Sequence, residues 1–275
     1  GDIKITGGDI DGSGNITATL GDVQLNSTND SETSTLSGTI TADAGAITTL
    51  GGKYAISDLD ANAGGIAIAG DSQGTFGALQ TTGSSVRVTS TNSTQGTTGD
   101  VSITTIDSPT VLAQGAGDYS LGTVSSSTGN AVAITTGDGN DVMTLTGSDA
   151  NEVYTVSTGN GDDQVTNTVA AATSSINLGA GDDTYTPTAA NGKGSVDMGA
   201  GTGDVLALSG DYTNNGVILN YEVLQISANT TMTEGQLDND ASFQVQGANQ
   251  IDVTATSLNL SSVTAGFGAT TKFVV

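Results

Sequence analysis

The chain of 275 residues contains no cysteine, no histidine and no tryptophan, and only two prolines. Without histidine, an imidazole base, a serine–histidine–aspartate triad and a histidine-ligated zinc site are excluded. Without cysteine, thiol catalysis, iron–sulfur clusters and disulfides are excluded as well. Basic residues are also scarce, because five Lys and Arg stand against 29 Asp and Glu, which gives a net charge of −24. We therefore expect no binding to nucleic acid or to anionic lipid, both of which need a basic face.

Long apolar runs are missing too, and no segment approaches the roughly 18 apolar residues of a transmembrane helix, so we expect no membrane insertion. The chain does not open with a signal peptide and begins with Gly1, which predicts a processed piece of a longer protein. High net charge with few aromatics is typical of disorder. However, the mean hydropathy is close to zero and Val, Ile and Leu recur throughout. These features indicate a folded chain with a thin, distributed core.

Short alternations of polar and apolar residues recur along the chain, and each is followed by Gly, Asn, Asp or Ser. They lie at residues 2–5, 22–25, 65–68, 86–88, 100–103, 131–134, 243–245 and 258–260. Such short segments, rich in β-branched residues, predict strands. Only residues 230–240 have a pattern that suits a helical turn or two. The sequence therefore predicts an all-β protein.

Glycines that precede predicted strands are spaced by about 16–24 residues, at Gly1, Gly21, Gly45, Gly65, Gly83, Gly99, Gly117 and Gly137. A regular period of this size is typical of repeat architectures, in which each repeat packs on its neighbours. We therefore predict a parallel β-helix (β-solenoid) of about 20 residues per coil. The alternative is a β-sandwich with strands every 8–12 residues. It is less favoured because four Phe, six Tyr and no Trp provide little aromatic core.

The middle of the chain carries four copies of the pattern Gly-x-Gly-x-Asp-x-apolar, the last with one inserted residue, Gly203. The copies lie in residues 136–143, 158–165, 178–185 and 198–205, and their first glycines are 22, 20 and 20 residues apart. Glycine allows turn conformations with positive φ that aim carbonyl groups at one point. Aspartate adds an anionic oxygen, and calcium prefers six to eight oxygen ligands. Stacked coils would place the four motif aspartates in a column, with ions relieving their repulsion.

This pattern resembles the nonapeptide repeat of calcium-binding RTX proteins. The resemblance implies calcium as the cofactor and the following metal-site residues: Gly137, Asp138, Gly139, Asp141, Gly159, Asn160, Gly161, Asp162, Asp163, Gly179, Gly181, Asp182, Asp183, Gly199, Gly201 and Asp204. In RTX blocks the nonapeptides run back to back, whereas here about every second one fits, which implies a single ladder of ions. The inserted Gly203 puts the geometry at Asp204 in question. The alternative is that the motifs are solvated corners of the β-helix.

A second, weaker metal candidate lies near the start, at Asp9, Asp11 and Ser13. These residues match the opening of an EF-hand loop, although Leu20 occupies the position of the bidentate glutamate and the flanking segments read as strands. Asp58, Asp60 and Asn62 form a still weaker group, which we interpret as a polar loop.

Residues 216–226 and 231–237 resemble the segments that follow RTX motifs in S-layer proteins of Gram-negative bacteria and related giant surface proteins. The resemblance implies type I secretion, an extracellular location at the cell surface and calcium-dependent self-assembly. We divide the chain into residues 1–130, a β-solenoid without clear metal motifs; 131–210, RTX-like calcium-binding coils; and 211–275, further solenoid coils.

The function expected from these features is that of a calcium-stabilised building block of a surface layer, with copies of itself as partners. A cell-surface glycan is a further candidate partner, and a calcium-dependent adhesin or spacer is the main alternative. An ice-binding surface would need a regular outward row of Thr, but the first motif position runs Thr136, Thr158, Leu178, Met198. We do not expect an enzyme. The remote alternative is a β-helix polysaccharide-degrading enzyme, in which Asp149 and Glu152 would act as a carboxylate pair.

Overall fold

The computed structural model describes residues 1–29, 32–69, 73–81, 85–89, 101–114, 117–127, 131–147, 152–169, 174–188, 194–213, 215–237, 243–247, 250–254, 263–264 and 272–274. The chain is an all-β parallel β-solenoid with about 20 residues per turn, about 65% strand and almost no helix. The predicted fold class is therefore confirmed. Two compact units divide the chain, residues 1–144 and residues 145–275. The division into three segments stays a prediction.

The first unit contains the strands β1 (Ile3–Gly7), β2 (Ile16–Ala18), β3 (Val23–Ser27), β4 (Thr33–Ala42), β5 (Ile47–Leu50), β6 (Lys53–Ala61), β7 (Ile66–Ala69), β8 (Gln73–Thr81), β9 (Ser85–Thr89), β10 (Val101–Asp107), β11 (Thr110–Gln114), β12 (Tyr119–Ser125) and β13 (Ala131–Thr135). Strand β14 (Val142–Leu145) contains the boundary. In this unit the odd-numbered strands pair in the order β1-β3-β5-β7-β9-β11-β13, and the even-numbered strands pair as β2-β4-β6-β8-β10-β12. Each coil thus contributes one strand to each of two parallel sheets.

The second unit contains β15 (Val153–Ser157), β16 (Gln164–Asn167), β17 (Ser174–Asn177), β18 (Thr184–Pro187), β19 (Gly194–Asp197), β20 (Val205–Asp211), β21 (Ile218–Leu219), β22 (Val223–Thr233), α1 (Glu234–Leu237), β23 (Phe243–Gln246), β24 (Gln250–Thr254), β25 (Val263–Thr264) and β26 (Lys272–Val274). One sheet has the order β15-β17-β19-β21 and the other β16-β18-β20-β22-β23-β25, while β24 pairs with β22 and β26. The short helix α1 lies inside the segment where the sequence predicts one.

The core of the first unit is built from columns of β-branched side chains that stack from coil to coil. One column consists of Val23, Ile47, Ile66, Val86, Val111 and Ile134, which face one another in register and are buried. Alternation along each strand sends every second residue inward. Burial of each such side chain contributes about 1.5–3 kcal/mol relative to leaving it exposed. The thin core that the sequence predicts is therefore a set of columns.

Tyrosine contributes more to the core than the composition suggests. All six tyrosines are buried, and their hydroxyls have hydrogen-bond partners. For example, the Tyr54 hydroxyl donates to the Leu50 carbonyl at 2.9 Å and accepts from the Ser27 amide at 2.9 Å. Because the hydroxyl reaches the turn backbone, a large ring is buried without an unsatisfied polar atom.

Three sequence expectations need correction or restriction. The regularly spaced glycines do not precede the same strand of every coil, because Gly65 precedes β7 in the odd-numbered sheet whereas Gly117 precedes β12 in the even-numbered sheet. Asp58 and Asp60 lie in strand β6 and not in a polar loop, because the sheet continues through the corner of the coil. The strand predicted at residues 258–260 lies outside the described residues.

Candidate metal centre

The glycines of the motifs form tight, stacked turns. The first glycines Gly159, Gly179 and Gly199 have φ between 96° and 105°, a region that L side chains rarely adopt. A Cβ added at Gly179 would lie 1.8 Å from the Gly159 carbonyl oxygen. In the first three motifs the second glycines, Gly139, Gly161 and Gly181, have φ between 130° and 140°, whereas Gly201 lies outside the positive-φ region. Gly137 is half-buried.

The four motif aspartates, Asp141, Asp163, Asp183 and Asp204, are all 0% exposed. Each is the residue directly before a strand of the even-numbered sheet. Its burial shows that the side chain points into the coil beside the turn. Carboxylates are almost never fully buried without partners, because desolvation strongly disfavours the charged form. These four aspartates are thus not solvated corners.

One carboxylate oxygen of Asp141, of Asp183 and of Asp204 accepts a backbone hydrogen bond from the preceding coil. In the second unit, the Asp163 amide donates to Asp183 Oδ1 at 2.8 Å, and the Asp183 amide donates to Asp204 Oδ1 at 2.7 Å. In the first unit, the Tyr119 amide donates to Asp141 Oδ1 at 2.9 Å. The inserted Gly203 does not move Asp204 out of this arrangement. We call Asp163, Asp183 and Asp204 the inner column.

A second set of motif aspartates faces solvent and accepts hydrogen bonds from the following coil, whereas the buried aspartates accept them from the preceding coil. Asp162 Oδ1 accepts from the Asp182 amide at 2.8 Å, and Asp182 Oδ1 accepts from the Thr202 amide at 3.1 Å. Both aspartates are exposed, as are Asp138 and Asn160. The inner and outer carboxylates therefore converge on the same edge of the solenoid from successive coils, which concentrates negative charge there.

The second carboxylate oxygens of Asp183 and Asp204 are buried and have no hydrogen-bond partner among the described residues. Burial is the main cause that raises the pKa of Asp183 to about 7, and the charges of Asp163, Asp204 and Asp162 add to it. Burial likewise raises the pKa of Asp204 to about 6, with contributions from Glu222 and Asp182. A buried oxygen of this kind costs free energy unless a proton or a cation meets it.

The donor set fits a hard cation in part. Carboxylate oxygens that lack a donor are what calcium prefers. Within the described ranges, however, no group of three or more acidic side chains is close enough to hold a metal ion by itself. The Gly159 and Gly179 carbonyls accept hydrogen bonds from the Ala180 and Ala200 amides at 2.9 and 2.7 Å. A cation here would therefore bind to carboxylates contributed by neighbouring coils, completed by backbone carbonyls or water.

The weaker candidates near the start do not converge. Asp9 Oδ1 accepts from Asn29 Nδ2 at 3.1 Å, and Asp11 Oδ1 accepts from the Thr35 amide at 2.8 Å. All three candidates, including Ser13, are exposed. Glu32, which belongs to no motif, interacts with Asp9, because a hydrogen bond with Asp9 and the charge of Asp9 raise the pKa of Glu32. Asp11 caps the next coil in the same way as the outer motif aspartates do.

Two groups of residues that the sequence analysis names for the less favoured functions include side chains that lie in the interior. Thr136, Thr158, Leu178 and Met198 are all buried, so the first motif position faces the interior and not solvent. Thr158 Oγ1 instead donates to the Leu178 carbonyl at 2.6 Å. Glu152 is 0% exposed and accepts from the Tyr154 hydroxyl at 3.0 Å, so it is not a solvated edge charge, while Asp149 lies outside the described residues.

The fold and this edge define a parallel β-solenoid with a buried column of carboxylates. Comparisons with family models, with curated proteins and with solved structures found no match. In the described part of the chain, no helix has the length and apolar character needed to cross a membrane.

Proposed function

We propose that the chain is an extracellular structural protein whose solenoid is stabilised by calcium and which assembles with copies of itself into a surface layer. The observation that carries the proposal is the pair of buried, unpartnered oxygens on Asp183 and Asp204, in a column of like charges. The resemblance of the motifs to RTX repeats, and of residues 216–226 and 231–237 to S-layer segments, supports the choice of calcium and of location.

Asp163, Asp183 and Asp204, with the outer Asp162 and Asp182, are the residues that would hold calcium. When bound, calcium supplies positive charge that offsets the repulsion along the column. The chain's own contribution is to fix the Asp183 and Asp204 carboxylates by their Oδ1 hydrogen bonds and to leave the Oδ2 atoms of these two residues available. Metal binding would add directly to folding free energy. A location outside the cell, where calcium is abundant, would favour folding after export.

The charge and surface of the chain suggest how copies would meet. With a net charge of −24, neighbouring copies repel one another. Among the described residues, the exposed large hydrophobic side chains are Leu20, Val142 and Val217, too few for an apolar interface. Contacts between copies would be polar, and the like charges of the two copies would oppose them. We therefore expect calcium to bridge carboxylates of neighbouring copies.

Light scattering and negative-stain microscopy test the assembly. On addition of about 10 mM Ca²⁺, above the weakest extracellular affinities, we expect growth into ordered sheets. Sodium chloride at matched ionic strength screens charge without bridging it, and we expect no growth. Equal growth in both salts would contradict calcium bridging, and absence of growth in both would contradict the layer.

A calcium-dependent adhesin or spacer is the second candidate. A surface cleft of about 310 Å³ in the first unit favours it, because half of the residues that line the cleft carry a hydroxyl group: Thr35, Ser37, Ser57, Thr75 and Thr104. Such a lining suits an uncharged glycan. An adhesin would stay monomeric in calcium and bind cells or glycans, whereas a layer protein would form sheets without a ligand.

A further inference from the structure

The column of carboxylates continues one coil beyond the last Gly-x-Gly motif, where the half-buried Glu222 follows the buried Asp204. Strand register pairs Val205 with Val223, which places Glu222 beside Asp204. The Asp204 amide donates to Glu222 Oε2 at 3.0 Å, in the same way as the Asp183 amide donates to Asp204. Glu222 therefore takes the structural position of a motif aspartate, although its own turn contains no motif.

The turn that carries Glu222 is held by other means than glycine. Asn220 has φ of 62°, a conformation that Asn tolerates better than most residues. Its side-chain amide donates to Asp197 Oδ1 at 2.7 Å, and the same oxygen accepts from the Gly199 amide at 3.0 Å. The amides of Glu222 and Val223 both donate to the Asp204 carbonyl, at 3.0 and 2.9 Å. The backbone of Glu222 is thus fixed against the preceding coil.

The surroundings of Asp204 favour a cation between Asp204 and Glu222. Asp204 is 0% exposed and its Oδ2 has no partner among the described residues. One coil further, the register places Phe243 beside Glu222, and this buried ring lies 5.0 Å from the Tyr221 ring, centroid to centroid. The run of carboxylates therefore ends at Glu222.

We infer that Glu222 is a ligand of a further calcium ion, held between Asp204 and Glu222 at the end of the inner column. The inference rests on the proposed calcium binding. Two independent observations support it. The hydrogen bond from the Asp204 amide orients the Glu222 carboxylate, and the Oδ2 atom of the neighbouring Asp204 is buried and has no hydrogen-bond partner among the described residues.

Equilibrium dialysis against Ca²⁺ followed by elemental analysis tests the inference. Glu222→Gln keeps an acceptor for the Asp204 amide and removes the charge, so we expect a folded chain that binds one calcium ion fewer than the wild type. Glu234→Gln, the same change in helix α1 outside the column, should bind as many ions as the wild type. Asp204→Asn borders two gaps of the column and should lose two ions. Circular dichroism in calcium checks that each variant is folded.

The outcomes separate the inference from the function on which it rests. If the wild type binds no calcium, the proposed function fails. If the wild type binds calcium and Glu222→Gln binds the same number of ions, or Asp204→Asn loses only one, calcium binding stands and the role of Glu222 is refuted. The Asp204→Asn count decides the matter even if Glu222→Gln does not fold.

Discussion

Asp22 in the first unit and Asp183 in the second make the same hydrogen bond in different surroundings. Asp22 Oδ1 accepts from the Ala46 amide at 2.8 Å, and Asp183 Oδ1 accepts from the Asp163 amide at 2.8 Å. Asp22 is exposed and reaches forward to the next coil, whereas Asp183 is 0% exposed and reaches back. Carboxylates that cap a neighbouring coil are thus a general device of this solenoid. Burial, and not the capping hydrogen bond, is what separates the aspartates that we propose as calcium ligands from the others.

The largest difference between the two aspartates should appear when the carboxylate is removed. Asp183→Ala leaves the Asp163 amide without its acceptor in a buried site, which costs about 1–3 kcal/mol, and removes the proposed ligand. Asp22→Ala leaves an exposed amide that water can reach, so we expect a change within about 0.5 kcal/mol. Urea unfolding in calcium measures both. Equal losses would show that burial does not distinguish the two sites.

The effect of Asp183→Asn on the melting temperature should have opposite signs with and without calcium. The variant keeps the Oδ1 acceptor and removes a buried charge, so in excess chelator it should melt at a higher temperature than the wild type. In millimolar calcium it should melt lower, because a ligand is lost. Differential scanning calorimetry in the two buffers measures the effect. A shift of the same sign in both buffers would count against a metal at this position.

The pH dependence of the metal-free protein should be smaller and should follow from the raised pKa values. The folded state holds protons on Asp183 up to a pKa of about 7 and on Asp204 up to about 6, whereas the ordinary value is 3.8. Between these limits the folded state binds more protons than the unfolded state, so stability falls as pH rises. In chelator, the wild type should lose more stability than Asp183→Asn between about pH 5 and about pH 8. If the stability of the wild type and of Asp183→Asn falls equally with pH, the buried Asp183 carboxylate is not the cause of the pH dependence.

The smallest effect is expected on the outer face. Asp162→Asn keeps the acceptor for the Asp182 amide and changes an exposed charge. In chelator we expect its free energy of unfolding to stay within about 0.5 kcal/mol of the wild type, because surface changes rarely exceed this. A large stabilisation would mean that the outer carboxylates, and not the inner column, carry the repulsion.

The fold was predictable because its signals are local. Alternation in segments such as residues 22–25 and 131–134 marks strands β3 and β13, and the glycine spacing gives the length of a coil. The alignment of Asp163, Asp183 and Asp204 follows from equal motif spacing once coils stack. Each of these inferences needs only the period of the sequence and the rule that strands alternate faces.

The features that sequence did not predict depend on contacts between coils. Nothing local shows that Asp162 reaches forward while Asp183 reaches back. Thr158 reads as an exposed turn residue, but its hydroxyl finds the Leu178 carbonyl inside. Glu222 has no motif around it, and only its position directly before β22, like that of Asp183 before β18, could have indicated its place.

Hydrogen exchange with and without calcium tests the central claim most directly, because it observes both regions in one sample. We predict that chelator sharply increases exchange at the amides of Asp163 and Asp183, which bond to buried carboxylates, and of Asp204, which bonds to the half-buried Glu222. The Ala46 amide, which bonds to exposed Asp22, should exchange at the same rate with and without calcium. If calcium leaves all four amides unchanged, or protects Ala46 as strongly as the others, the account of the inner column as a calcium site is contradicted.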